Sequence, residues 1–291
     1  MGTKRRLIQV GVSTAFRAAK SPQAVALAGQ VQPFLRNGMT GAVLGGATRE
    51  SSIEAIESLA GISVGPIVER LGMSMLTGID FAVNRFAKNA AVRADVTRVV
   101  RSELDERALE RQLVRDAAWK ASARGAISAT PAIIPGLGTT AELATAVADQ
   151  MLRTVLEAHM ILGLAHLRGL DAQATELRRL DILLVLGLAC GAAEIDGEVI
   201  RVGDLEVSIE HLAAGAIPEE AALALGTAVG IDIVGRIARR RTAGILLRLL
   251  PGGASVAAAA WYDWRAAGSV GKHAIAYYDV VAPLQKATQT A

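Results

Sequence analysis

Glu142, Asp149, Arg153 and Glu157 lie seven, four and four residues apart in a stretch that is otherwise nearly all Ala, Leu, Val, Ile and Met. At about 3.6 residues per turn these spacings place the four on one narrow stripe of a helix. Three carboxylates and a guanidinium on one face could move protons or hold a polar ligand, provided the stripe turns inward. If it faces water, the same stripe is only the wet edge of a core helix. Charged side chains are seldom buried, so the wet edge is the expectation.

The remaining reactive residues form weaker groupings. Glu194, Asp196 and Glu198 cluster around Gly197 and loosely resemble the acidic, metal-linked loop of TerB-like domains. Their spacing lacks the alternating oxygen ligands and distal Glu of a calcium loop, so a polar turn is expected and no metal. The four histidines, His159, His166, His211 and His273, include no pair four apart as on a zinc-binding helix. Lys272, His273 and Tyr277 could form a polar site, but neither a nucleophile nor a metal stands beside them. Cys190 is the sole cysteine, which leaves no intramolecular disulfide and no Cys-based zinc site. With no charged neighbour to ionise it, its thiol reads as a small hydrophobe in a buried helix. No Gly-x-Ser-x-Gly, Walker loop or dinucleotide fingerprint occurs. Neither a catalytic centre nor a cofactor is therefore expected.

The elements that would position these residues are helical. Pro131, Pro135, Gly136 and Gly138 make a hinge before Thr139 or Thr140, either of which can cap a helix running to about His166, and Gly169 suits the C-cap of that helix. Upstream, Ile67, Val68, Leu71, Met75, Leu76, Ile79 and Val83 have helical spacing within Gly65 to Lys88. A second amphipathic helix is expected over Ala94 to Ala123, with Val96, Val99, Val100, Leu104, Leu109, Leu113, Val114 and Ala117 as its apolar face. Its other face interleaves Arg98, Arg101, Arg107, Arg111 and Arg115 with Glu103, Asp105, Glu106 and Glu110, which argues against a nucleic-acid stripe. Asp-Gly and Gly-Asp pairs among short Val/Ile runs predict one short β-hairpin near 195–209. Helix resumes after Pro218, and Pro251, Gly252 and Gly253 turn the chain into a small-residue helix carrying Trp261 and Trp264. The fold class expected is all-α, a multi-helix bundle rich in small apolar residues.

Two blocks carry a family resemblance. "RGAISATPAIIPGLG", an acidic residue soon after the last proline, a long apolar helix and "LRGLDAQ" form the first; "IVGRIARRRTAGILLRLLPGGASVAAAAWYDWRAAGSVGKHAIAYY" forms the second. Together they resemble the EcsC family over rather less than half the chain. The resemblance implies a helical bacterial protein tied to ABC-transporter and secretion operons, with no established reaction. Where that pattern favours Asp after the proline turn, this chain has Glu142. On this reading residues 50–291 form an EcsC-like helical domain, preceded by a basic arm and glycine-rich linker over 1–49.

Charge and hydropathy point to a surface. Of the formal net charge of +3, residues 1–49 contribute +7 without a single acid, leaving −4 for the remainder. Leu7, Ile8, Gly11, Val12, Ala15 and Phe16 share one face of a helix bordered by Arg5, Arg6 and Arg17, an arrangement suited to an anionic membrane. An ordinary first helix fits this segment equally well, and a secretory signal competes for it, but Gln9 and Arg17 weaken the signal's apolar region. Arg236, Arg239, Arg240 and Arg241, with Arg248, make the densest basic cluster, and Trp261 and Trp264 suit a membrane interface or a seam between helices. Apolar residues make up 52% and the mean hydropathy is +0.35, yet no uncharged run reaches the roughly 20 residues needed to span a bilayer. The leading reading is a non-catalytic accessory protein, cytoplasmic and peripheral to the inner face of the membrane. It would bind anionic lipid or a hydrophobic ligand and serve a transporter or secretion component. The alternatives are an enzyme built on the inward-turned stripe, or a soluble interaction scaffold.

Overall fold

The computed structural model describes residues 65–128, 139–218, most of 220–229, and 254–290. Within them the chain is mainly helical, with one small antiparallel sheet. In chain order the elements are α1 (Gly65–Val100), α2 (Glu106–Ser128), α3 (Thr139–Leu167), α4 (Thr175–Cys190), β1 (Ala193–Asp196), β2 (Val199–Val202), β3 (Leu205–Ser208), α5 (Ile209–Ala213) and α6 (Ala254–Thr290). Helical backbone also occurs within 220–229, where the Ala222 amide donates to the Pro218 carbonyl at 3.0 Å. The chain divides into two compact units. One comprises residues 1–67, 119–146 and 234–265; the other comprises 68–118, 147–233 and 266–291. The second, called the main unit below, holds most of the described core.

The boundary between the first two helices differs from the sequence expectation. α1 runs unbroken to Val100, and the chain turns at Arg101–Leu104 before α2 begins at Glu106. Nothing in "NAAVRAD" interrupts a helix, whereas the Asp105 carboxylate accepts from the Ala108 amide at 2.6 Å and starts a new one. The apolar face expected to continue through Val96, Val99 and Val100 is consequently exposed, while Leu109 and Leu113 are buried.

α3 and its ending match the expected limits. The Leu170 amide donates to the Ala165 carbonyl at 3.0 Å and that of Gly169 to the His166 carbonyl at 2.9 Å, with Gly169 at φ 72°. These paired bonds satisfy carbonyls that the helix end would leave orphaned, and the left-handed residue they require is cheapest as glycine. α4 ends in the same way at Gly191, φ 78°, through bonds to the Gly187 and Leu188 carbonyls.

The expected hairpin is a three-stranded meander in the order β1-β2-β3. Asp196 pairs with Val199 and Val202 with Leu205, so each link has two residues and each begins with a glycine at positive φ, 59° for Gly197 and 58° for Gly203. A glycine first in a two-residue turn twists in the sense that antiparallel strands need. The repeated Gly-acidic pairs thus make two hairpins in succession. Ala193, Ile200, Val202 and Val207 are buried, and Glu194, Asp196, Arg201 and Glu206 are exposed.

The main unit packs small residues against large ones. Ala82, Ala90, Ala94, Ala158, Ala165 and Ala274 are almost fully buried beside Ile161, Leu162, Leu164, Ile182 and Leu184. Gly271 of α6 lies against Val114 of α2 so closely that a Cβ there would stand 2.3 Å from Val114 Cγ1. Pro283 interrupts the α6 bonding pattern, since it has no N–H to give to the Asp279 carbonyl.

Candidate functional site

The strongest concentration of buried polar chemistry lies between α4 and α6. Arg178 and Asp181, one turn apart on α4, are wholly buried, as are Tyr277 and Tyr278 of α6; Gln285 is almost so. The Asp181 side chain accepts four hydrogen bonds. Oδ1 receives the Tyr277 hydroxyl at 2.7 Å and Gln285 Nε2 at 3.2 Å, while Oδ2 receives the Tyr278 hydroxyl at 3.1 Å and Arg178 Nη1. Arg178 Nη2 donates to Gln285 Oε1 at 2.7 Å, closing a ring of three side chains. The two tyrosine rings meet edge to face with centroids 5.3 Å apart. An isolated charge at this depth would be prohibitive; a paired carboxylate with four donors is tolerated.

The electrostatics follow from that burial. Burial pushes the Asp181 carboxyl up, against the pull of Arg178 and of the donors from Tyr277, Gln285 and Tyr278. Burial also lifts both phenols well above their ordinary value, and the neighbouring carboxylate adds to the lift, so they remain hydroxyl donors. With its acceptor positions occupied, Asp181 is arranged to clamp α4 to α6 and not to receive a substrate proton.

A second network lies one residue further along α6. Glu110 of α2 is buried and accepts both Nε and Nη2 of Arg168, the latter at 3.1 Å. Arg168 Nη2 also donates to Asp279 at 2.6 Å, and Arg107 Nη1 reaches the same carboxylate at 2.7 Å. Two acids and two guanidiniums thereby tie α2, the end of α3 and α6 together with no net charge. Burial raises the Asp279 carboxyl, but hydrogen bonds and charge from Arg107 and Arg168 outweigh it and hold the group below its ordinary value. Arg168 belongs to "LRGLDAQ", and Asp279 directly follows "VGKHAIAYY". The C-terminal ends of the two separate blocks therefore meet in this unit.

The stripe on α3 is only partly described. Glu142 and Asp149 belong to α3, but their side chains lie outside the described residues. Arg153 and Glu157 are buried, and Arg153 Nε donates to Glu157 Oε1 at 2.9 Å. The wet-edge expectation fails for these two: they turn inward as a mutually neutralising pair, with the equally buried Thr154 beside them. His159, two residues on, is half-buried against the Phe86 ring at 6.3 Å. Burial first, then the Arg93 charge, holds its imidazole below the ordinary value.

The other anticipated groups separate. His273 Nδ1 bonds the Ser269 carbonyl at 2.9 Å and Lys272 is exposed, so they do not converge with Tyr277, which is committed to Asp181. Glu194, Asp196 and Glu198 are exposed; Asp196 pairs with Arg201 at 2.8 Å, and Arg201 in turn meets Glu206 at 2.9 Å. Among the described residues no three His, Cys, Asp or Glu side chains are placed to hold a metal. Cys190 is half-buried at the last position of α4.

Trp261 and Trp264 are exposed by 39% and 38% on successive turns of α6, and the Arg265 guanidinium lies 5.6 Å from the Trp261 ring centroid. Trp119 of α2, 39% exposed, belongs to the same compact unit. Arg5, Arg6, Arg236, Arg239, Arg240 and Arg241 lie outside the described residues, as do the glycine-rich linker and the proline hinge. Among the described residues no helix is long and apolar enough to cross a membrane. No protein-family model, curated protein or solved structure matches the chain.

Proposed function

We propose that this protein is a non-catalytic accessory that docks peripherally on an anionic membrane surface. The observation that carries the reading is the exposed Trp261, Trp264 and Arg265 group on α6. An indole gains most at the headgroup level, where its ring leaves water and its N–H stays wet, and a guanidinium beside it meets phosphate. Arg239, Arg240 and Arg241 precede this face in sequence, and Arg5 and Arg6 open the basic arm; they supply the long-range attraction. The EcsC-like blocks give the same protein a place beside a bacterial transporter or secretion component, on the inner face of the membrane. A bundle of small-residue helices forms its body.

The reading is tested by co-sedimentation with phosphatidylcholine vesicles with and without phosphatidylglycerol, monitored by tryptophan emission. Binding that needs the anionic lipid, shifts emission to the blue and is lost in Trp261→Ser/Trp264→Ser is the expected result. Equal partition to both vesicle types, or binding that ignores the tryptophans, would sink it. A second reading, an enzyme using the α3 stripe, has the inward placement of Arg153 and Glu157 in its favour. It requires Glu157→Gln to abolish a turnover that the folded protein displays.

A further inference from the structure

Within the main unit α1 and α3 touch along a seam whose contacts rise together in both helices, so the two run parallel. A Cβ on Gly78 would lie 4.0 Å from the Thr154 methyl, and one on Gly163 3.7 Å from the Ala90 carbonyl. Between these levels the Phe86 ring meets His159 edge to face with centroids 6.3 Å apart, and Phe81 meets Phe86 at 5.6 Å. At the far end His166 Nε2 donates to Asp95 at 2.9 Å, and Arg98 Nη2 donates to the Leu167 carbonyl at 3.1 Å.

The two histidines of this seam meet acid differently. His166 Nε2 gives its proton to a carboxylate, so that bond persists whether or not the ring takes a second proton, and a protonated ring makes it an ion pair as well. His159 is half-buried, and the charge facing it across the seam is the Arg93 guanidinium. The neighbouring carboxylates are engaged elsewhere. Glu157, two residues earlier on α3, accepts from Arg153; Asp116 of α2 accepts the Gln112 amide at 2.9 Å and stands 3.9 Å from Arg93; Asp95 is held by His166 and Arg98. A proton on His159 therefore puts a second cation beside Arg93, in a site partly closed to water and walled by an aromatic ring. Burial and the like charge both oppose it, and they hold the imidazole below its ordinary 6.5. We propose that the α1–α3 seam is an acid-sensitive clasp: protonating His159 releases the Phe81–Phe86 segment of α1, while His166, Asp95 and Arg98 keep the other end in register. A histidine depressed by folding leaves the seam at full strength above 6.5 and weakens it as the pH falls from there through the folded value. The clasp is independent of the membrane reading, since its parts all belong to the main unit.

Hydrogen exchange on the full chain between pH 7.5 and pH 5.5, corrected for the intrinsic rate, tests this beside a titration of the His159 ring by NMR. Wild type is expected to lose protection around Phe86 and His159 below pH 6.5, by up to about tenfold for each unit by which the ring titrates below its ordinary value. Amides around Asp95 and His166 should keep theirs. His159→Leu should remain protected throughout, and Arg93→Gln, which leaves the imidazole in place, should raise its titration towards 6.5 and shrink the loss. A His159 ring that titrates at or above 6.5 overturns the proposal, because the Phe86 ring would then be stabilising the cation. Equal loss of protection at both ends of the seam, or a loss undiminished in His159→Leu, overturns it too.

Discussion

Asp181 and Asp279, 98 positions apart in the chain, are carboxylates in opposite situations. Asp181 is enclosed, and removing its charge leaves Arg178 buried without a counter-ion. Asp181→Asn is therefore expected to cost about 3–5 kcal/mol in urea unfolding. Tyr278→Phe removes one donor to a carboxylate that keeps three others and should cost about 1–2 kcal/mol. If the two variants cost the same, the clamp does not depend on the ion pair. Asp279 is partly open to solvent, and Arg107 and Arg168 hold its pKa below the ordinary aspartate value of 3.8. A carboxyl depressed by folding stabilises the folded state above its unfolded pKa and loses that contribution as the pH falls through its folded one. Asp279→Asn should accordingly be less stable than wild type at neutral pH, and the gap should narrow once the pH falls below 3.8. A gap independent of pH would remove Asp279 from the acid limb.

At the scale of elements, legibility tracked how local the cause was. The α3 boundaries, the Gly169 ending and the return to helix after Pro218 depend on residues within a few positions of each other and could be read directly. The α1/α2 break is not legible, because apolar periodicity passes through Val96 to Leu104 without a fault and only Asp105 marks the new start. Asp105→Ala should cost about 1 kcal/mol if that cap sets the boundary, measurable in thermal unfolding. The meander exceeds the one expected hairpin because the second Gly-acidic turn, at Gly203, lies only six residues after the first and leaves each strand four residues long. Asp181 does carry a local signal: it stands seven residues before Leu188, in phase with Leu184, at the head of an apolar run, and a charge in apolar phase signals burial. Its partners Tyr277 and Gln285 were not legible, since they lie about 100 residues away and nothing local marks them as neighbours. Arg153 and Glu157 misled in the other direction, because spacing fixes a stripe but not which way it faces.

At the scale of the whole molecule, the main unit carries both buried polar networks, whereas the exposed tryptophans belong to the other unit. Gly271→Ala tests how far the main unit depends on close helix approach. Its new methyl would collide with Val114, and a loss of about 1–3 kcal/mol is expected, largely relieved in the double variant Gly271→Ala/Val114→Ala. The proposed membrane docking should survive that change, because the tryptophans belong to the other unit.

The distribution of aromatic residues also gives the chain two separate optical reporters. All three tryptophans, Trp119, Trp261 and Trp264, fall in one compact unit, whereas the other contains none and holds the buried Tyr277–Tyr278 pair. Indole emission therefore follows one unit alone, while the hydrogen-bonded phenols dominate the near-ultraviolet signal of the other. A denaturation series recorded in both channels at once would show whether the two units melt together or in sequence, without a label or a truncation.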